Sequence, residues 1–216
     1  MSKKARFYII FFSVLMLVFY FALTRIIPGY GDAGLPVLSL VQPFSFVDQT
    51  GQGVTNKTVQ GKVYVAEFFF TTCKGICPKM NKNLRIIYDK FLDEGGFLIL
   101  SHSVDPGTDS VSRLKRYADS LQVSGKTWHF LTGSKDSLYH AARVSYLLDD
   151  PKNSRAAIDQ QFIHTQFFAL VDRNARVRKI YDGLKKEEIE RLINDIKSLL
   201  KEKATPASMG NSLPNN

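Results

Sequence analysis

The chain's only two cysteines, Cys73 and Cys77, lie together in Thr71-Thr72-Cys73-Lys74-Gly75-Ile76-Cys77-Pro78. With no third cysteine there is no disulfide framework, so the pair reads as a working dithiol rather than a staple. The apolar run from Val63 to Phe70 predicts a strand that ends just before it, and Pro78 predicts a helix that starts just after it, at a position where a missing N–H costs nothing. Cys77 then falls at or next to the helix N-cap, where free backbone N–H groups and the helix dipole are expected to favour its thiolate. Both sulfurs face one mouth, a helical turn apart.

Three intervening residues leave two chemistries open. Oxidoreductases usually place two residues between their cysteines; three still permit a disulfide and also let the sulfurs chelate a soft metal. Two thiolates suit Cu(I), zinc or an iron–sulfur cluster, and a two-sulfur site is short of ligands for the last two. A histidine would complete a small copper site, and there are four: His102, His129, His140 and His164. His140 falls in a predicted helix and His129 beside Trp128 in a strand, where packing accounts for them, and His102 lies inside a buried strand. His164 precedes the closing hairpin.

These residues need a scaffold, and the periodicity supplies one. Residues 44–55 alternate around a Gly-rich turn, as a hairpin does. Strand 62–70 precedes the dithiol and a helix over about 78–93 follows, with Met80, Leu84, Ile87 and Phe91 at helical spacing. A second buried strand spans 97–104, and Val111, Leu114, Ala118 and Leu121 mark a helix. Residues 128–133 read as a strand, 137–147 as a helix and 149–161 as a polar loop. A hairpin over 167–171 and 177–181 leads to a last helix lined by Ile189, Leu192, Ile193, Ile196 and Leu199. Strands alternating with helices and closed by a hairpin describe an α/β sheet covered on both faces. A dithiol between a central strand and its helix makes this a thioredoxin-like domain with an N-terminal hairpin. In such a fold the loop before the closing hairpin packs against the dithiol and normally carries a proline. No proline occurs between Asp159 and Ala175, and His164 occupies that neighbourhood.

From Phe7 to Thr24 no residue is charged, and Lys3, Lys4 and Arg6 precede the run. That length reaches the about 18 residues a membrane-spanning helix needs, and no small-x-small cleavage site follows, so an uncleaved transmembrane helix is expected rather than a signal peptide. The early cations predict a cytoplasmic N-terminus, with the rest in the periplasm of a bacterial inner membrane. The expected partition is a basic start over 1–6, an anchor over 7–25, a linker over 26–35, the domain over 36–202 and a disordered tail over 203–216. Four cations of the formal +9 belong to the anchor region, leaving +5 on the remainder. No basic cluster is interleaved with aromatics, which argues against nucleic acid as a partner.

An ordered set of motifs over roughly residues 40–200 resembles the SCO/SenC family of copper-binding assembly proteins of cytochrome c oxidase. The set comprises Phe44-Ser45-Phe46-Val47-Asp48, Phe68 through Pro78, Ser103-Val104-Asp105-Pro106, Trp128 through Gly133, and His164-Thr165. The resemblance implies a membrane metallochaperone whose Cys73, Cys77 and His164 bind one copper ion, Cu(I) or Cu(II). It further implies cytochrome c oxidase subunit II, with its CuA centre, as recipient, and an upstream copper donor. Lys74 departs from the family pattern, where many relatives carry proline. Asp105 is a candidate supporting group near the site, with a turn aspartate before Pro106 as the competing assignment. The alternative function is a thiol:disulfide reductase that keeps subunit II cysteines reduced through Cys73 and Cys77. A thiol peroxidase fits less well, because Thr-Thr-Cys lacks the Thr-x-x-Cys and arginine set that such chemistry wants.

Overall fold

The computed structural model describes residues 2–26, 34–155, 157–158, 161–163, 165–202 and 204. Most of the linker, the tail beyond residue 204 and His164 therefore lie outside the described residues. The chain divides into two compact units, Met1–Pro36 and Val37–Asn216. The first holds α1 (Lys3–Ile26), within which Lys3–Leu23 is long and apolar enough to cross a membrane.

The second unit runs β1 (Ser39–Leu40), β2 (Ser45–Asp48), β3 (Gly53–Thr55), α2 (Asn56–Val59), β4 (Val63–Phe69), α3 (Cys77–Phe91), β5 (Phe97–Ser103), α4 (Val111–Ser120), β6 (Trp128–Thr132), α5 (Lys135–His140), β7 (Phe167–Val171), β8 (Arg176–Asp182) and α6 (Lys186–Lys201). One sheet takes all the strands in the order β1-β8-β7-β4-β5-β6-β2-β3. The three central strands β4, β5 and β6 are parallel, and the hairpins β2–β3 and β7–β8 flank them antiparallel. Every residue of β4 and β5 is buried, which explains why both read as continuous apolar runs rather than alternating ones.

Alternation along β4 sorts its side chains between two layers. Tyr64, Ala66 and Phe68 join Leu98, Leu100, Leu138 and Tyr139 in one core. Glu67 and Phe69 face the other way, where Phe69 packs against Tyr117 of α4 and Phe130 of β6, and Tyr88 of α3 packs against Trp128. Ser110 caps α4, accepting from Arg113 N at 3.4 Å, and Ser134 caps α5, accepting from Ser137 N at 3.2 Å.

Two expectations shift. The helix over 137–147 is α5 followed by a π-helical turn over Ala141–Ser145, and the loop over 149–161 carries a 3-10 turn over Pro151–Arg155. The added edge strand β1 is only two residues long and pairs with β8, too short to leave a period in the sequence.

Candidate functional site: a dithiol at the mouth of a small cavity

The β4–α3 loop carries the two cysteines. Cys73 N donates to Phe70 O at 3.2 Å, closing a turn directly after the strand. Ile76 is the N-cap of α3, Cys77 its first residue and Pro78 its second. Cys77 is 4 % exposed and Cys73 half-buried, and both are free thiols.

The two sulfurs differ in character. Burial pushes the Cys73 thiol up, but hydrogen bonds from the Cys77 thiol and from the backbone at Cys77, Gly75 and Ile76 outweigh it, and the net shift is down. Burial pushes the Cys77 thiol up to about 12, helped by its bond to Cys73 and by the nearby Glu67 charge and opposed by the Phe70 backbone. This reverses the expectation that the helix start would favour a Cys77 thiolate. The unpaired N–H groups at the start of α3 serve Cys73 instead, while Cys77 sits inside the wall, where desolvation outweighs the dipole. Cys73 is the nucleophilic, accessible sulfur.

A cavity of about 30 Å³ opens onto both cysteines, lined also by Phe68, Phe69, Phe70, Ile76, Ile163 and Thr165. That exceeds the roughly 10–15 Å³ needed to hold one water and is far below the roughly 300 Å³ at which organic-ligand pockets begin. The guest it fits is a single ion or a thiol's reacting atom. A larger open hollow by Phe44, Asp136 and His140 contains neither cysteine.

The segment that walls the cavity is held from both sides. Tyr139 Oη lies 3.0 Å from Val104 O and 3.1 Å from Gln161 O. Beyond the wall, Gly183 N donates to Gln166 O at 2.8 Å and Gly183 O accepts from Asn83 of α3 at 2.7 Å. A Cβ at position 183 would meet Phe168 Cζ at 2.6 Å and Gln166 O at 2.8 Å, so only glycine permits this approach. Substituting Gly183 by alanine is expected to cost on the order of 1–3 kcal/mol by overpacking, a Tm loss measurable in reduced protein.

Three histidines have other places. His102 is fully buried, stacked on Phe68 at 4.9 Å, with Nδ1 3.2 Å from Glu67 O. Burial lowers its pKa to about 4, against the opposing pull of the Glu67 and Leu100 backbone. His129 Nδ1 lies 3.1 Å from Asp48 Oδ2, and His140 is exposed on α5. His164 is outside the described residues, although Ile163 and Thr165 on either side of it line the cavity. Among the described residues no three His, Cys, Asp or Glu side chains group as a metal site.

Asp105 opens the turn after β5, its carbonyl accepting from Thr108 and Asp109 N. The carboxylate that reaches the dithiol loop is Asp109, which sequence reasoning missed. Its Oδ1 accepts from Thr71 Oγ1 at 2.5 Å, and its Oδ2 from Thr71 N at 3.2 Å and Ser103 Oγ at 2.6 Å. Glu67, also missed, is fully buried beneath the site; its Oε1 accepts from Ser101 Oγ at 2.5 Å, and Oε2 has no hydrogen-bond partner among the described residues. An acid in the middle of an apolar strand was the signal for it.

The SCO1/SenC family profile matches residues 34–201. The chain belongs to the SCO1/SenC family. A SCO1 protein homolog of Bacillus subtilis is 33% identical over 162 residues, spanning 73% of this chain and 81% of that one. The structure of BsSco, described as a Sco-family cytochrome c oxidase assembly protein with a disulfide switch, is 32% identical with a TM-score of 0.65, covering 77% of this chain and 97% of that one. Arabidopsis thaliana ScoI, solved with copper bound, is 26% identical with a TM-score of 0.58, covering 74% and 99%. These neighbours share the thioredoxin-like α/β fold.

Proposed function

We propose that the chain is a membrane-tethered copper carrier that binds one copper ion through Cys73, Cys77 and His164 and serves the CuA centre of cytochrome c oxidase subunit II. The supporting observation is a pair of thiols that open onto one ion-sized cavity, whose lining includes both sequence neighbours of His164, Ile163 and Thr165. The donor set fits the cargo: two thiolates and one imidazole are soft enough for Cu(I), and an imidazole also suits Cu(II). Binding requires both thiols to lose their protons, so uptake releases protons. Cys73, already acidified and accessible, engages first, and Cys77 closes the site as the metal replaces its proton. A recipient's thiol can then displace one ligand at a time through the open side.

Exchange with an external disulfide, which takes up the two electrons and two protons as it is reduced to thiols, leaves a Cys73–Cys77 disulfide with no thiolate to offer, so loading is gated by redox state. Reduced full-length protein in detergent is expected to hold about one equivalent of copper through dialysis, and the oxidised form none. Equal retention by both forms would overturn the carrier reading.

A second reading, the thiol:disulfide reductase, draws on the asymmetry of the pair. An accessible sulfur of lowered pKa beside a buried one of raised pKa is an attacking and resolving arrangement.

The tether is α1, with Lys3, Lys4 and Arg6 at the cytoplasmic end and the domain in the periplasm. A phosphatase reporter that needs export, fused after Glu202, is expected to be active and a cytoplasm-dependent one silent; the opposite pattern would reverse the topology.

A further inference from the structure

We propose that Asp109 is a positioning residue for the dithiol, acting through Thr71 to hold Cys73 where it meets Cys77. The inference deepens the carrier reading and rests on Cys73 and Cys77 being the working site. Asp109 has no solvent exposure, and both of its carboxylate oxygens are occupied. Its partners come from two separate elements: the main chain and hydroxyl of Thr71 at the start of the dithiol loop, and the hydroxyl of Ser103 at the end of β5. Arg113 of α4 closes the cluster, donating from Nε to Thr71 Oγ1 at 2.7 Å and standing 3.9 Å from Asp109 Oδ1. Thr71 thus has its N–H and its hydroxyl fixed at once.

The position of Thr71 makes this consequential. It lies inside the turn that Cys73 N closes onto Phe70 O, two residues before the sulfur. Upstream, the chain is already fixed, because Phe69 pairs with Ser103 and accepts from Val104 N at 2.9 Å. Clamping Thr71 carries that rigidity two residues further, to the backbone from which Cys73 projects, and so keeps its sulfur within reach of both Cys77 and the N–H groups at the start of α3. A fully satisfied buried carboxylate is costly to assemble and specifies one geometry once assembled. Here the specified geometry is the spacing of two thiols, which governs both ring closure to a disulfide and chelation of an ion.

Thr71→Val removes the hydroxyl at nearly constant volume, and Thr71→Ser retains it. In full-length protein equilibrated with glutathione buffers, without metal, Thr71→Val is expected to lower the equilibrium constant for closing the Cys73–Cys77 disulfide about tenfold. Thr71→Ser should stay within about twofold of the parent. Copper affinity, measured by competition with a chromophoric Cu(I) chelator, should fall about tenfold or more in Thr71→Val, the scale seen when an outer partner of a metal ligand is lost. Asp109→Asn should follow Thr71→Val wherever it folds. A Thr71→Val protein with a lowered Tm but a disulfide constant within twofold of the parent would show that the cluster only stabilises the fold and would overturn the inference. If no variant, the parent included, binds copper while the disulfide constants separate as expected, the carrier reading fails and the positioning role stands.

Discussion

Replacing Glu67 by glutamine is expected to abolish most of the stability loss that this carboxyl imposes on the domain between about pH 4.5 and about pH 8. Burial raises the Glu67 carboxyl from 4.5 to about 8, with the Ser101 hydroxyl pulling the other way. The unfolded chain releases this proton near 4.5 and the folded chain holds it to about 8, so unfolding gains an advantage at every step between. Stability is fully present below the unfolded value and declines by about 1.4 kcal/mol per pH unit as pH rises towards the folded one. Over that window the loss is on the order of 4 kcal/mol, a large share of a domain's total. Cys77 and Tyr117 face Glu67 but are themselves pushed upward, Cys77 to about 12 and Tyr117 further, so neither titrates within it.

His102 adds the opposite slope. Its pKa falls from 6.5 to about 4, so its contribution is present above 6.5 and lost as pH drops towards 4. The two slopes oppose each other between 4.5 and 6.5, and from 6.5 to 8 the Glu67 loss is no longer offset by His102. Denaturant midpoints at pH 6.5 and pH 8 should therefore differ clearly in the parent and hardly at all in Glu67→Gln, with the variant the more stable at pH 8. An unchanged pH slope in Glu67→Gln would mean that the carboxyl is ionised in the fold.

How much of this was legible in sequence depended on the range of the interaction. Strands β4 and β5 were read because a continuous apolar run is what two covered faces require, and α3 because Met80, Leu84, Ile87 and Phe91 repeat with the helical period. The π turn after α5 was not, since apolar spacing over 137–147 does not report that Tyr146 N bonds to Ala141 O instead of the usual partner. The thiols show the same divide. Their place at a strand–helix junction follows from local signals, but which sulfur is acidified depends on how deeply the fold buries Cys77. The Asp109–Thr71 contact spans 38 residues and exists only because β4 and β5 pair in a register that sets Phe69 against Ser103. Asp105 is visible as part of the motif Ser103-Val104-Asp105-Pro106, whereas the carboxylate that reaches the loop belongs to Asp109, four residues later, which no local signal marks.

The sharpest separation of carrier from reductase is His164→Ala. Under the proposed ligand set the substitution leaves two thiolates, enough to hold Cu(I) in a weakened site but without the nitrogen donor that Cu(II) favours. Loss of an outer partner alone typically costs about 10–100-fold in metal affinity, so loss of a direct ligand should exceed tenfold for Cu(I) and should abolish stable Cu(II) binding. Disulfide exchange draws on different properties, the acidity and access of Cys73, which the backbone at Gly75, Ile76 and Cys77 supplies. The rate at which reduced His164→Ala attacks a small disulfide should therefore remain within about threefold of the parent. In cells at limiting copper the two functions then part company: a carrier whose site is too weak to load fails to support oxidase assembly, while a reductase with its dithiol intact continues to. Full assembly by His164→Ala at limiting copper, with Cu(I) affinity shown to have fallen as expected and Cu(II) binding abolished, would transfer the function to the dithiol's electrons and make the metal incidental.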